Sequence, residues 1–431
     1  MDTLRFELLP GVNLTCIQTE KFKTDCLSIS LLTQHQRDTA SLNAVLPYVL
    51  RRGTRYHPDM ESIASALDEL YGTCIEPVVR RIGEIQCLGF FANIPSTAYL
   101  PEGGVLRSAA ELMCEMLLSP NTKGGLLLPA YVESEKEKLL ERIRGRVNDK
   151  MGYSVYRLLE EMCCYEDFAV PTIGTESTAE GIYYQKLTKQ YRKLLSTCPV
   201  EIFYCGSENP DDVAEIFRDS LCAMPRGEIN YDIGTDIRMN SVDSEVRYFT
   251  EELNVTQGKL ALGFRLGECM EEPDIAAITV FNGVYGGGVT SKLFMNVREK
   301  LSLCYYASSN VNTHKGLMCV FSGIDFDKYE DAMAEILAQL EDVKNGVISD
   351  EELSAARAAA SSALRTVSDS AGELEGFWLS NIVDGLDFEP EELAELCESV
   401  SREDVVRIAR SVVADAVYFL RGNGEEADDE D

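Results

Sequence analysis

Histidine is scarce in this chain, with 3 residues in 431, and that scarcity excludes more than any single motif supplies. His35, His57 and His314 stand far apart, and none has a second histidine at i+3 or i+4. No helical turn therefore offers two imidazoles to one metal ion, and each ring reads as a surface or hydrogen-bonded histidine. The 14 cysteines include no C-x-x-C pair, and adjacent Cys163-Cys164 suit neither zinc nor an ordinary disulfide, so the thiols read as small buried hydrophobes. Positive charge is short as well: 40 Lys+Arg against 72 Asp+Glu leave a formal net charge of −32. Binding to nucleic acid or anionic lipid needs a basic face, which this balance argues against. No uninterrupted apolar run reaches membrane-spanning length. The start, Met1 to Phe6, has neither a basic n-region nor an apolar h-region, so a cytoplasmic chain without membrane insertion is expected. There is no G-x-S-x-G elbow, and spacing gives no Ser–His or Cys–His pair.

What is present reads as globular protein, 45% hydrophobic and 26% charged, and long enough for two cores. In the first half, strand patterns at Cys26–Thr33, Cys74–Val79, Glu84–Ala92 and Val200–Tyr204 alternate with helical ones. The helices are expected at Ala40–Arg52, Met60–Tyr71, Val105–Leu118, Val132–Arg146 and Tyr183–Leu195. The second half restates this plan. Its expected strands are Gln257–Arg265, Cys304–Asn310, Leu317–Gly323 and Ala416–Arg421. Its expected helices are Asp274–Gly283, Thr290–Lys300, Tyr329–Asn345, Glu351–Asp369 and Arg402–Val413. Strands joined by long helices in both halves predict two α+β domains, residues 1–225 and 226–424, with an internal repeat. The joint is placed around Arg226–Val246, where Gly227 and Gly234 interrupt the periodicity. Residues 425–431 are nearly all acidic and are expected to form a disordered tail.

The densest signal is Phe281–Tyr306, where Gly286–Gly288 run into Val289-Thr290-Ser291 and an amphipathic stretch with Leu293, Phe294 and Val297 on one face. Hydroxyls after a glycine loop suit a capped helix start. No G-K-[ST] follows, so the glycines read as a close-packed turn rather than a phosphate cradle. Arg298 falls near the end of that helix, and Tyr305 lies seven residues on, in a segment that reads as a strand. A guanidinium and a phenol brought close could hold a peptide backbone or carboxylate. Carboxylate pairs such as Glu271-Glu272 read as solvated faces, and Ser349 to Glu352 as a capping box.

The run GGG-xx-S-K-L-F-xx-V-R-E-K-xx-L-x-Y resembles the C-terminal signature of the pitrilysin/insulinase-type (inverted zincin) metallopeptidases. Other segments match in the right order: Arg52-Gly53-Thr54, Asp59–Gly72, Glu135–Ile143, Pro171–Thr175 and Phe203–Gly206. The family's chemistry needs H-x-x-E-H on one helix and a glutamate on a later one. By the resemblance those five positions fall on Ala44, Val45, Leu46, Pro47 and Tyr48, and the third ligand on Arg142, or on Arg144 in a register shifted by two. The zinc-site positions Ala44, Pro47, Tyr48 and Arg142 are thus degenerate, and no metal or other cofactor is expected. Pro47 is further expected to kink its helix.

The resemblance implies two homologous domains, each a mostly antiparallel sheet packed with helices, arranged as a clam shell. It also implies that Arg298 and Tyr305 bind substrate backbone for a zinc-bearing homologous partner, as in family members that divide these duties between subunits. Similar bacterial members are associated with elongation factor P aminopentanol modification or with bacteriocin processing. The expected function is a catalytically inactive subunit that positions extended peptide. A stand-alone peptide-binding or scaffold protein is the alternative, and a hydrolase using another mechanism also stays open.

Overall fold

The computed structural model describes residues 3–100, 105–267 and 274–423. The expected acidic tail and Glu271-Glu272 lie outside these residues. The first stretch of chain builds β1 (Thr3–Leu9), β2 (Val12–Gln18), β3 (Thr24–Gln34), α1 (Ala40–Leu50), α2 (Met60–Glu69), β4 (Cys74–Ile82), β5 (Ile85–Pro95) and α3 (Val105–Leu118). A short hairpin, β6 (Thr122–Lys123) and β7 (Leu126–Leu127), leads into α4 (Pro129–Arg144) and α5 (Lys150–Met162). Then come α6 (Glu176–Glu180), α7 (Tyr184–Thr197), β8 (Val200–Gly206) and α8 (Pro210–Leu221).

The second stretch builds β9 (Arg247–Leu253), β10 (Gly258–Arg265), α9 (Ile275–Tyr285), a π-helix (Leu293–Lys300), β11 (Tyr306–Asn312) and β12 (Leu317–Ile324). It ends with α10 (Tyr329–Lys344), α11 (Asp350–Val367), α12 (Ala371–Asp384), α13 (Pro390–Ser399), α14 (Arg402–Ser411) and β13 (Val413–Gly422). Local chemistry sets several of these ends. Asp59 and Ser62 form a reciprocal capping box at α2, and Ser401 with Asp404 does the same at α14. Pro210 follows the Asn209 cap of α8, and Gly385 ends α12 in the left-handed region.

The fold is α+β, with two mixed sheets, each packed with helices. The first sheet has the order β1-β2-β8-β3-β5-β4, and the second β11-β12-β10-β13-β9. In each, one pair is parallel (β2 with β8, β9 with β13) and the remaining neighbours are antiparallel. Five consecutive strands of the first sheet therefore match the second in order, direction and chain sequence. The repeat read from periodicity is present as topology, with β1 the additional strand of the first copy.

Packing assigns the chain to two units that interleave along the sequence. Unit 1 holds residues up to Arg144, Val170–Gly234 and Ser368–Gly385, and unit 2 the rest. Thus α12, from the second repeat, belongs to the core of unit 1, and α5, from the first, to that of unit 2. In unit 2, Leu158 and Met162 of α5 pack with Ala261, Ala416 and Tyr418. Gly263 lets the helix come close, since a Cβ there would stand 2.6 Å from Met162 Sδ. In unit 1, Leu379 of α12 packs with Leu32, Ile82, Ile85 and Cys87. These apolar contacts supply the burial that holds each added helix.

Two local expectations change. The helix expected from Thr290 is a π-helix starting at Leu293, with the Leu301 amide bonded back to the Asn296 carbonyl. Ser291 accepts the Phe294 amide only loosely, at 3.4 Å, so the hydroxyl cap is weak. The strand expected from Cys304 begins at Tyr306, which leaves Tyr305 just outside it. The glycine triplet does act as a tight turn. The Gly286 carbonyl accepts the Ser309 amide at 3.0 Å, and a Cβ on Gly286 would lie 2.5 Å from the Ser309 hydroxyl.

Candidate functional site

In unit 1, α1 packs against α4. Helix α1 is buried along almost its whole length because both of its sides are apolar, and a polar network anchors its underside. Asn43 donates to Gln86 at 2.9 Å and accepts from Gln190 at 2.8 Å, while Gln86 donates to the Ala40 carbonyl at 3.2 Å. Sequence periodicity gave no signal for this buried amide triad. The helix runs through Pro47 to Leu50, and the Arg51 amide still reaches the Pro47 carbonyl at 3.0 Å. What the proline removes is a donor to Asn43, not the helix after it.

Ala44 is fully buried. Pro47 forms part of an apolar wall with Leu31, Leu88, Phe90 and Leu117, where a water-activating base would be shut away from solvent. Tyr48 is half-buried, and the Arg142 guanidinium on α4 lies over its ring at 4.4 Å from the centroid. Tyr48 and Arg142 therefore come together across α1 and α4, whereas Ala44 is buried in the core and Pro47 faces the apolar wall. Arg144 turns elsewhere, paired with Glu176 at 2.5 Å.

This donor set does not fit zinc. A methyl group and a proline ring ligate nothing, a guanidinium repels a cation, and one phenol does not make a site. Among the described residues no group of three His, Cys, Asp or Glu side chains could hold a metal. The histidines have other work. His35 is buried with Nε2 2.9 Å from the Val170 carbonyl, and burial, helped by the Arg81 charge, pushes its pKa down to about 4. His57 Nδ1 lies 3.0 Å from Glu115 and helps tie down the loop after α1, where Thr54 also bonds Glu115. His314 sits in the turn between β11 and β12.

In unit 2, Arg298 occupies the last turn of the π-helix, with its side chain 40% exposed. It lies 4.7 Å from the Phe294 ring centroid and 3.6 Å from a Glu299 oxygen. Tyr305 is 58% exposed; its amide donates to the Gly323 carbonyl and its hydroxyl donates to Asp325 at 3.0 Å. That bond to a carboxylate raises the phenol's pKa. Between them the chain turns sharply, with Ser302 at φ 52°. No hydrogen bond or cation–π contact joins Arg298 to Tyr305; each is held by its own neighbour. A π-turn of this kind re-aims the residues at its end and recurs at functional sites.

The sequence reading missed a buried ionic network in unit 2. Arg265 bonds Glu166 at 2.7 Å and Asp415 at 2.7 Å, and Lys315 reaches Glu166 at 2.6 Å, all four side chains at 0% exposure. Arg247 adds a contact to Asp415 at 2.6 Å. Burial alone would push Glu166 up, but the bonds from Arg265 and Lys315 outweigh it and hold the carboxyl below its usual range.

Two mixed sheets of one repeated topology, each packed with helices, define an M16-like fold, and the chain belongs to the M16 (pitrilysin) peptidase family as an inactive metalloprotease homologue. The family profile described as "Peptidase M16 inactive domain" matches residues 181–360. The chain is 32% identical over 96% of both sequences to a Bacillus subtilis protein named "Probable inactive metalloprotease YmfF". A crystal structure of a conserved protein from Enterococcus faecalis superposes with a TM-score of 0.88 at 28% identity, covering 99% of this chain and 100% of that one. A structure titled as the peptidase M16 inactive domain from Pseudomonas fluorescens gives a TM-score of 0.79 at 15% identity, over 98% of this chain and 99% of that one, and so speaks to the fold. Among the described residues no helix is long and apolar enough to cross a membrane.

Proposed function

We propose that the chain is the non-catalytic subunit of a two-chain peptidase, binding an extended peptide and presenting it to a homologous partner that carries the zinc. The observation behind this reading is an asymmetry in what each unit keeps. The zinc positions of unit 1 hold Ala44, Pro47, Tyr48 and Arg142, which cannot ligate, whereas in unit 2 Arg298 and Tyr305 keep exposed polar ends. The exposed guanidinium can donate to the carbonyls of a peptide main chain, and the Tyr305 oxygen, whose proton goes to Asp325, can accept a main-chain amide. An extended peptide gains further affinity by adding to a sheet edge. The chain itself makes and breaks no bond in this scheme. Its contribution is to hold the scissile bond in place, which is a proximity effect.

The test is reconstitution with a zinc-bearing homologue from the same cells. Arg298→Ala and Tyr305→Phe should each lower the pair's kcat/KM by about tenfold, the scale of one lost charge-assisted or buried hydrogen bond. An unchanged rate with both variants sinks the positioning role. If the chain purified from native cells carries no zinc-bearing homologue, the stand-alone peptide-binding reading replaces it.

A further inference from the structure

We infer that the Tyr48–Arg142 position of unit 1 is a carboxylate-binding site, in which Arg142, set over the Tyr48 ring, takes one carboxylate of a peptide. This rests on the peptide-binding reading above and assigns it a substrate class. Helices α1 and α4 face each other through two cation–aromatic pairs in opposite order. Arg142 of α4 lies 4.4 Å from the Tyr48 ring, and Arg52, just past α1, lies 5.3 Å from the Tyr131 ring of α4. The two pairs differ in charge. Arg52 is neutralised by Glu135 at 3.1 Å, and the same carboxylate takes Lys138 at 2.8 Å. Nearby Arg51 is paired with Glu76 and Arg144 with Glu176.

Arg142 has no carboxylate within ion-pair reach among the described residues, although it is exposed and the chain has 72 acidic residues against 40 basic ones. A guanidinium held over a ring still has N–H groups to donate, and its planar fork can take a carboxylate in a bidentate way. One uncompensated charge suits a monoanion. Glu141, its neighbour on the same helix, would oppose a dianion such as phosphate. The carboxylate has two possible sources in a peptide, its C-terminus or an acidic side chain.

The experiment measures binding of three fluorescent decapeptides of the same neutral sequence to the full-length chain at about 0.1 M salt, where a partly exposed pair still contributes. One ends as an amide, one as a free acid, and one is an amide with a single internal Asp. The wild type should bind one of the two acidic peptides about tenfold more tightly than the neutral amide. Arg142→Ala and Tyr48→Ala should erase that preference, and Tyr48→Phe, which keeps the ring, should retain it. A preference for the free acid identifies a C-terminus, and one for the Asp peptide identifies a side chain. Equal binding of all three, still weakened by Arg298→Ala, overturns this inference and leaves the positioning reading intact. A preference that survives Arg142→Ala also overturns it. No binding of any peptide overturns both.

Discussion

The two units share a strand order but secure their added helix by different chemistry. In unit 1, Glu375 of α12 takes Arg80 of β4 at 2.5 Å and the Ser28 hydroxyl at 2.8 Å, and Arg80 remains 29% exposed. In unit 2, the segment after α5 brings Glu166 into a dry network with Arg265, Lys315 and Asp415. A carboxylate fastens the added segment to the sheet in both cases. Water can stand in for a lost partner at Arg80 but not at Arg265. The same architectural task has been solved once by a clasp near the surface and once by a network whose members depend on each other.

The largest expected effect follows from that difference. Glu166→Ala removes the carboxylate that buried Arg265 and Lys315 share, leaving Asp415 as the only acid of the network, and should cost about 3–5 kcal/mol. Glu375→Ala removes a pair whose arginine can rehydrate and should cost about 1–3 kcal/mol. Chemical denaturation of both variants checks this. Equal losses would show that the two clasps are equivalent despite their exposure.

Acid should separate the units a second way. His35, next after β3, and Leu266, next after β10, occupy matching positions, their amides bonding Glu84 and Gly316 carbonyls at 2.8 Å and 2.9 Å. Unit 1 thus has a titratable group where unit 2 has a leucine. The folded pKa of His35 is lowered from 6.5 to about 4, so the unfolded chain binds the proton first as pH falls. Stability contributed by keeping this ring neutral is present above pH 6.5 and is lost as pH drops towards 4, up to about 3 kcal/mol. Glu166 is also a depressed group, but a carboxylate: its contribution persists through that window and is lost only as pH falls below the ordinary carboxylate range. Hydrogen exchange of the two units across pH 7 to 4 should show unit 1 loosening first, and His35→Asn, which can still donate to the Val170 carbonyl, should flatten its profile. Loosening of both units together would refute the assignment.

Much of this architecture was legible because periodicity reports burial. Four strands of each sheet (β3, β4, β5 and β8 in one, β10, β11, β12 and β13 in the other) and the helices α1, α3, α7 and α10 follow their apolar patterns, whereas β1, β2 and β9 do not stand out. At Ala44, Pro47, Tyr48 and Arg142, the positions that the family resemblance assigns to zinc, residue identity alone argues against ligation. Charges that face each other from distant parts of the chain were not legible. Glu166 and Arg265 are 99 positions apart, and nothing near either residue marks it as buried. Nor does local pattern show that α5 and α12 join the unit built mainly by the other half. An amphipathic helix specifies which face it buries but not against which sheet. The π-helix was missed for a related reason: a shift to i+5 bonding leaves the spacing of Leu293 and Val297 nearly unchanged.

The smallest effect concerns the helix that follows the second strand of each shared sheet order. In unit 2 this is α9, an uninterrupted apolar helix, whereas α1 of unit 1 carries Pro47. The proline leaves the Asn43 carbonyl without its helical donor, at a cost of about 3 kcal/mol in an ordinary helix interior. Its ring also fills the wall formed with Leu31, Leu88 and Leu117, so an alanine would surrender about 1–2 kcal/mol of packing. The difference leaves Pro47→Ala stabilising by about 1 kcal/mol, read as a rise of about 2 °C in the melting temperature. Because the position faces an apolar wall, peptide affinity should not move. A fall in stability would mean that ring packing outweighs the missing hydrogen bond, and that α1 has been rebuilt around the proline rather than merely tolerating it.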